Sequence, residues 1–221
     1  MTPMDKQGKT AFILTHLIVA IIFFACLMMV GPMRDGFPLA GDLEARMAHI
    51  ASNKLVWQLG WNLWMLAALG LLMFCTLLSH WVPPSPLRRY GLLLVALGIA
   101  PDLSAEVIYA YLIPFVMEQG YGLAHLAVLE KIAMLLTGFL GNGLYNLGGL
   151  LLTVLLAANR AIPRWVIYSG VVAWLLGIAL TVSVALDKTA LMEFFTASSM
   201  TLSTLWMLAV AHCVFRRCST P

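Results

Sequence analysis

The chain has 221 residues, of which 62% are hydrophobic and only 10% charged, with a formal net charge of +3. A water-soluble domain averages about 45–50% apolar and about 25% charged residues, so this chain has too little polar surface to cover a globule in water. That excludes soluble, disordered, collagen-like and disulfide-scaffolded classes and leaves an integral membrane protein.

Stretches free of Asp, Glu, Lys and Arg cover residues 10–33, 55–87, 132–159, 165–186 and 194–215. Each exceeds the roughly 20 residues a helix needs to cross a hydrocarbon core. A further stretch, 90–117, has the right length but carries Asp102 and Glu106. Barrel strands would be about 10 residues long with strict alternation, and in lipid the backbone must satisfy its own hydrogen bonds. The expected fold is therefore all-α and polytopic: one domain over 1–221 with six transmembrane helices at about 10–33, 55–82, 90–117, 126–158, 164–186 and 192–215.

Lys6 and Lys9 ahead of the first apolar run resemble a signal peptide. The run continues through Val30 with no small-x-small cleavage site, so a retained first helix is expected. The connection 34–54 is the long one. Asp42 is placed to cap a short helix with Leu43, Met47 and Ile50 on one face, an interfacial element over one mouth of the bundle; a mobile loop fits the same pattern. Pro83, Pro84 and Pro86 stop the second span, and Pro163 separates the fourth from the fifth. Lys6, Lys9, Arg88, Arg89, Arg160, Arg164, Arg216 and Arg217 all fall on one side with a single acid, Asp5. By the positive-inside rule that side, with both termini, is cytoplasmic. The surplus charge reflects this topology and contact with membrane lipids. Nucleic acid is not an expected partner, because no basic patch alternates with stacking aromatics. Cys26, Cys75, Cys213 and Cys218 form no Cys-x-x-Cys and are expected to be free thiols.

The third span holds the residues least suited to lipid. Asp102 and Glu106 are four apart, hence on one helical face and about 6 Å apart along the axis. Gly98, Ala105 and Tyr109 extend that face, and Pro101 is expected to kink the helix. A carboxylate at mid-membrane costs several kcal/mol in most estimates (about 3 or more), so it faces the bundle interior, is protonated or finds a partner. Intramembrane acids are functional candidates by default; the alternative is a neutral, hydrogen-bonded packing carboxyl.

The fourth span carries Gly138, Asn142, Tyr145, Asn146 and Gly149 on one face, with Asn142 level with Asp102. These residues either orient a ligand or lock two helices together. Near them, Lys131 either snorkels or turns toward Glu106. The second span adds Gln58, Trp61 and Asn62, with Trp57 and Trp64 nearby, and the sixth adds Glu193, Thr196, Ser199 and Ser203. Together the polar atoms suggest a pocket leaning toward the outer half of the membrane. His16, His80 and His212 fall at similar depths near the cytoplasmic side, a weakly spaced set that could bind a metal ion or haem. No phosphate loop, H-E-x-x-H, nucleophile elbow or Asp-rich diphosphate motif is present, and no cofactor is expected.

The segments "LVWQLGWNLWMLAALGLL", "PPSPLRRY" and "NRAIPRWVIYSGVVAWLLGIAL", with a polar residue midway along the intervening helix, resemble a group of small bacterial integral membrane proteins classed as a domain of unknown function. The resemblance implies a six-helix bundle and transfers no catalytic residue. The expectation is then a protein of the bacterial inner membrane, which could be a homo-oligomer. It binds a lipophilic or amphiphilic small molecule, with Asp102 and Glu106 in acid–base roles and Asn62, Trp61, Tyr109, Asn142, Tyr145 and Asn146 as ligand contacts. Two alternatives are a proton-coupled transporter using Asp102 and a non-catalytic interaction protein in which the same polar residues only lock helices.

Overall fold

The computed structural model describes residues 6–37 and 41–216. Asp5, Arg217 and Cys218 lie outside them. Among the described residues every regular element is a helix: α1 (Lys6–Val30), α2 (Leu43–Ser52), α3 (Lys54–Ser79), α4 (Pro86–Val107), α5 (Ile113–Glu118), α6 (Leu123–Met134), α7 (Asn142–Leu156), α8 (Arg164–Ala185) and α9 (Thr189–Val210). Three π-helical segments, Ile108–Leu112, Leu135–Gly141 and Ala211–Phe215, join α4 to α5, join α6 to α7 and extend α9. The result is six continuous helices long and apolar enough to cross a membrane: Lys6–Val30, Lys54–Ser79, Pro86–Glu118, Leu123–Leu156, Arg164–Ala185 and Thr189–Phe215. Large apolar side chains such as Phe23, Phe24, Leu66, Leu93, Leu97 and Leu147 are exposed, an arrangement stable against lipid and unfavourable in water.

Local chemistry explains where the helices start and stop. Asp42 accepts a hydrogen bond from the Ala45 amide at 2.8 Å, so the 34–54 connection does hold a capped short helix. Its Met47 and Ile50 are buried. Ser85 caps α4 in the same way, with Pro86 at the first helical position, where its missing N–H costs nothing. The Arg88 guanidinium donates to the carbonyls of Ser79 and Val82, satisfying acceptors left open where α3 ends. α4 continues through Pro101, and a π segment follows at Ile108–Leu112.

The spans neighbour one another in chain order: α1 packs on α3, α3 on α4, α4 on α7, α7 on α8, α8 on α9, and α9 with its π extension returns to α1. A closed ring of six helices has a centre that short side chains do not fill. Two apolar clusters occupy its ends. One lies toward the end bearing Arg88 and Arg164 and includes Phe74, Trp81, Leu156, Val166, Trp206 and Phe215. The other lies under α2 and includes Met33, Met47, Ile50, Trp57, Trp61, Tyr109 and Ile113. Trp64 packs against both.

Close approach of α4 and α7 fixes the depth of the polar residues. A Cβ on Gly98 would fall 2.7 Å from the Gly141 carbonyl oxygen and 2.7 Å from the Tyr145 amide nitrogen. Only glycine admits this backbone contact, as at other small-residue helix crossings in membranes. One turn further along α4, the same crossing sets Asp102 beside the fourth span.

Candidate functional site

Asp102 and Glu106 both point inward. Their relative exposures are 5% and 0%. With Asn142, Tyr145 and Asn146 they line a cavity of about 80 Å³ to which all six spans contribute: Ile22 from α1, Trp64 and Leu71 from α3, Trp174 from α8, and Ser199, Ser203 and Thr204 from α9. The cavity therefore sits at the centre of the ring. It does not lean toward the α2 end as the distribution of polar residues along the sequence suggested.

The amide residues are organised by their own hydrogen bonds. The Asn142 amide nitrogen donates to the Gly177 carbonyl at 2.6 Å and to the Thr181 hydroxyl oxygen at 2.8 Å. Its oxygen accepts from the Tyr145 hydroxyl and from the Asn146 amide, each at 2.9 Å. Asn146 also donates to the Asn142 carbonyl at 2.7 Å. This network ties the fourth span to the fifth, not to the third as a helix-locking role for Asn142 would have it. Trp174 is held beside it through a hydrogen bond from its indole to Thr153 at 2.8 Å.

The two carboxyls differ. Asp102 accepts a hydrogen bond from the Thr137 hydroxyl. Glu106 has no hydrogen-bond partner on either oxygen, although both are buried. A buried polar group without a partner loses its hydration with nothing to offset it, at a cost of about 1–3 kcal/mol. Such groups are few in folded proteins and call for a reason. No Lys, Arg or His lines the cavity, so nothing there supplies a counter-charge to either carboxyl. Each carboxyl also adjoins a π segment: Glu106 precedes Ile108–Leu112, and Thr137 belongs to Leu135–Gly141. π-bulges in membrane and soluble helices recur at functional sites because the extra residue re-aims side chains.

Other expected contacts lie elsewhere. Asn62 pairs with Tyr111, its amide donating to the hydroxyl at 2.7 Å and its oxygen accepting at 3.1 Å, toward the periphery of the bundle. Trp61 and Tyr109 stack face to face, 4.4 Å between ring centroids and 5° between planes, on the α2 side of the cavity. Trp57 reinforces this wall by donating its indole N–H to the Tyr109 carbonyl at 2.8 Å. Asn62, Trp61 and Tyr109 are thus outside the cavity lining, with the last two stacked in the apolar cluster under α2. Above it, Arg46 of α2 is buried and ion-paired with Glu130. Burial lowers its pKa below the usual guanidinium value, opposed by the nearby Tyr109. Lys131 turns neither into the bundle nor toward Glu106; it pairs with Asp187 at the protein surface.

The three histidines do not form one site. His16 and His212 are close, with ring centroids 5.2 Å apart, but His80 stacks edge-on to Trp81, and its Nδ1 lies 3.1 Å from the Thr76 carbonyl. Among the described residues, no group of three or more His, Cys, Asp or Glu could hold a metal ion. The three-imidazole metal site expected as an alternative is therefore not assembled among the described residues: each histidine bonds within its own helix, and three different helices carry them. Cys26 and Cys75 are free thiols.

Thr137, Trp174 and Thr181 belong to the site and were not apparent from the sequence. Thr137 lies off the Gly138–Asn142–Tyr145 face when counted at 3.6 residues per turn, and it reaches Asp102 from within the π segment. Comparison of the chain with family models, curated proteins and solved structures returns no match. The functional reading therefore rests on the geometry of this cavity.

Proposed function

We propose that the protein is a multi-pass protein of the bacterial inner membrane, with both termini cytoplasmic, that binds and moves a small solute through the central cavity by protonating and deprotonating Asp102 and Glu106. The observation that carries this reading is Glu106: a fully buried carboxyl with both oxygens unpartnered, facing a space where six spans meet. A group held that way for packing would be satisfied by neighbours, as Asn142 is. Solute sites of membrane transporters lie at mid-membrane between helices that can rock against one another. An alternation of protonation states gives such a site two affinities.

The cavity volume of about 80 Å³ favours this over the lipophilic-ligand reading. Pockets for drug-sized molecules enclose about 300–1,000 Å³. The apolar part of the lining, Ile22, Leu71, Met200 and Met207, keeps an amphiphilic ligand as a second reading, one that requires the helices to part. Acid–base catalysis would use the same two carboxyls on such a ligand.

The test uses purified protein in sealed vesicles loaded with a pH-reporting dye. Guanidinium, urea, β-alanine and sodium are added separately. At least one is expected to drive a change of internal pH that is absent with Glu106→Gln and Asp102→Asn. A silent wild-type protein with all four solutes would refute the transport reading.

A further inference from the structure

The occupant of the central cavity has a chemistry that its walls specify. Two carboxyl groups face it, and the remaining titratable lining group is Tyr145 of α7; α1, α3, α8 and α9 contribute no titratable or charged side chain. Arg46 is committed to Glu130 on the α2 side of the Trp61–Tyr109 stack, and Lys131 to Asp187 at the surface. Glu106 presents two unpartnered acceptor oxygens, fully buried. Asn142 has both amide atoms occupied by protein partners, and the buried unpartnered acceptors of the lining are the two Glu106 oxygens. Trp64, Trp174 and Tyr145 add aromatic walls, which attract cations through their ring faces.

Building on the proposed role of this cavity, we propose that it takes a small organic cation that donates hydrogen bonds, of the ammonium or guanidinium class, in exchange for a proton. The size follows from the volume: about 80 Å³ is room for roughly five waters, hence for a solute of about four to six non-hydrogen atoms. The two unpartnered Glu106 oxygens call for N–H groups, and planar guanidinium matches a carboxylate with two parallel bonds. The exchange is balanced in charge. The protonated Glu106 carboxyl gives up its proton to the solvent, the resulting carboxylate pairs with the cation, and the site's net charge is unchanged. No covalent bond other than that O–H is broken.

Guanidinium and urea form the discriminating pair, because they are nearly equal in size and shape and differ in charge. Each is titrated calorimetrically, at millimolar concentration and constant ionic strength, into the intact protein in detergent, with a pH dye to count protons. Guanidinium is expected to bind with release of about one proton per chain and to tighten up to about tenfold per pH unit while that proton is held. Urea is expected to bind at least tenfold more weakly, with no release. Glu106→Gln abolishes the release and the preference. Glu106→Asp, which keeps the carboxyl one methylene shorter, retains the release with weaker binding and guards against a Gln variant that fails to fold. Urea binding as tightly as guanidinium overturns the cation assignment and leaves the cavity's wider role standing. Sodium displacing the proton while guanidinium does not would also overturn it, in favour of a metal-ion site. If neither ion nor urea binds and the vesicle assay is silent as well, the assignment and the transport reading fall together.

Discussion

Replacing Glu106 by Met should make the protein more stable and functionally inert. Glu106 has 0% exposure and no partner on either carboxyl oxygen, so the folded state carries the desolvation of a polar group with no compensating bond, about 1–3 kcal/mol. Met is unbranched and of similar length, and its thioether meets Trp64, Leu71 and Met207 around the same space. The change removes the unsatisfied group without opening a void. For a chain of 221 residues, 1 kcal/mol corresponds to roughly 2–4 °C in Tm, so the expected rise is roughly 2–12 °C. Thermal unfolding followed by circular dichroism in one detergent, with wild type and variant side by side, measures it. The same variant should show no proton release with guanidinium. A fall in Tm of several degrees would refute the reasoning, because it would mean that the carboxyl holds the bundle together.

Asn142→Leu should behave oppositely. It removes four side-chain hydrogen bonds, two within α7 to Tyr145 and Asn146 and two across to α8 at Gly177 and Thr181; at an average near 0.6 kcal/mol for interhelical bonds in membranes the latter two alone cost about 1 kcal/mol, read as a lower Tm. Gly98→Ala places a methyl 2.7 Å from the backbone at Gly141 and Tyr145; overpacking against backbone should cost about 1–3 kcal/mol and lower Tm, whereas Ala on exposed Leu97 leaves it nearly unchanged. Arg46→Ala and Glu130→Ala should each destabilise, and the double variant by less than their sum; a coupling above about 0.5 kcal/mol in the double-mutant cycle confirms the buried ion pair. A fluorescent protein joined to the C-terminus should fluoresce in bacterial cells, and alkaline phosphatase joined there should stay inactive, as the proposed topology requires.

Much of this architecture is legible in the sequence because the membrane leaves few solutions. Helices must satisfy their own backbone bonds in lipid, so five charge-free stretches and the apolar run around Asp102 and Glu106 mark the six spans. Asp42 with Met47 and Ile50 marks α2 in the same way, since a cap residue and a buried face are local properties. Asp102, Glu106, Asn142, Tyr145 and Asn146 meet in one cavity because helical periodicity already places each set on one face. What could not be read depends on neighbours. Asn62 and Trp61 are consecutive on α3, yet one turns to Tyr111 and the other to Tyr109. The partner of Glu130 is Arg46, 84 residues away, and no local pattern links them. Thr137 and the region after Glu106 escape because π segments break the period on which face assignments depend. The central position of the cavity follows from ring closure between α1 and α9, a contact between the two ends of the chain.

The most direct test of the central claim, that water-borne cations reach Asp102 and Glu106, is the chemical accessibility of Ser203. Ser203 lines the cavity and leaves both carboxyls in place when replaced by Cys. With Cys26, Cys75, Cys213 and Cys218 changed to Ser, the rate at which Ser203→Cys reacts with an ethylammonium thiosulfonate reagent is compared with that of its sulfonate analogue. The expected result is preference for the cationic reagent by about tenfold or more, lost when Glu106 and Asp102 are neutralised. Equal rates, or no reaction with either reagent, would contradict a cation-selective cavity open to water.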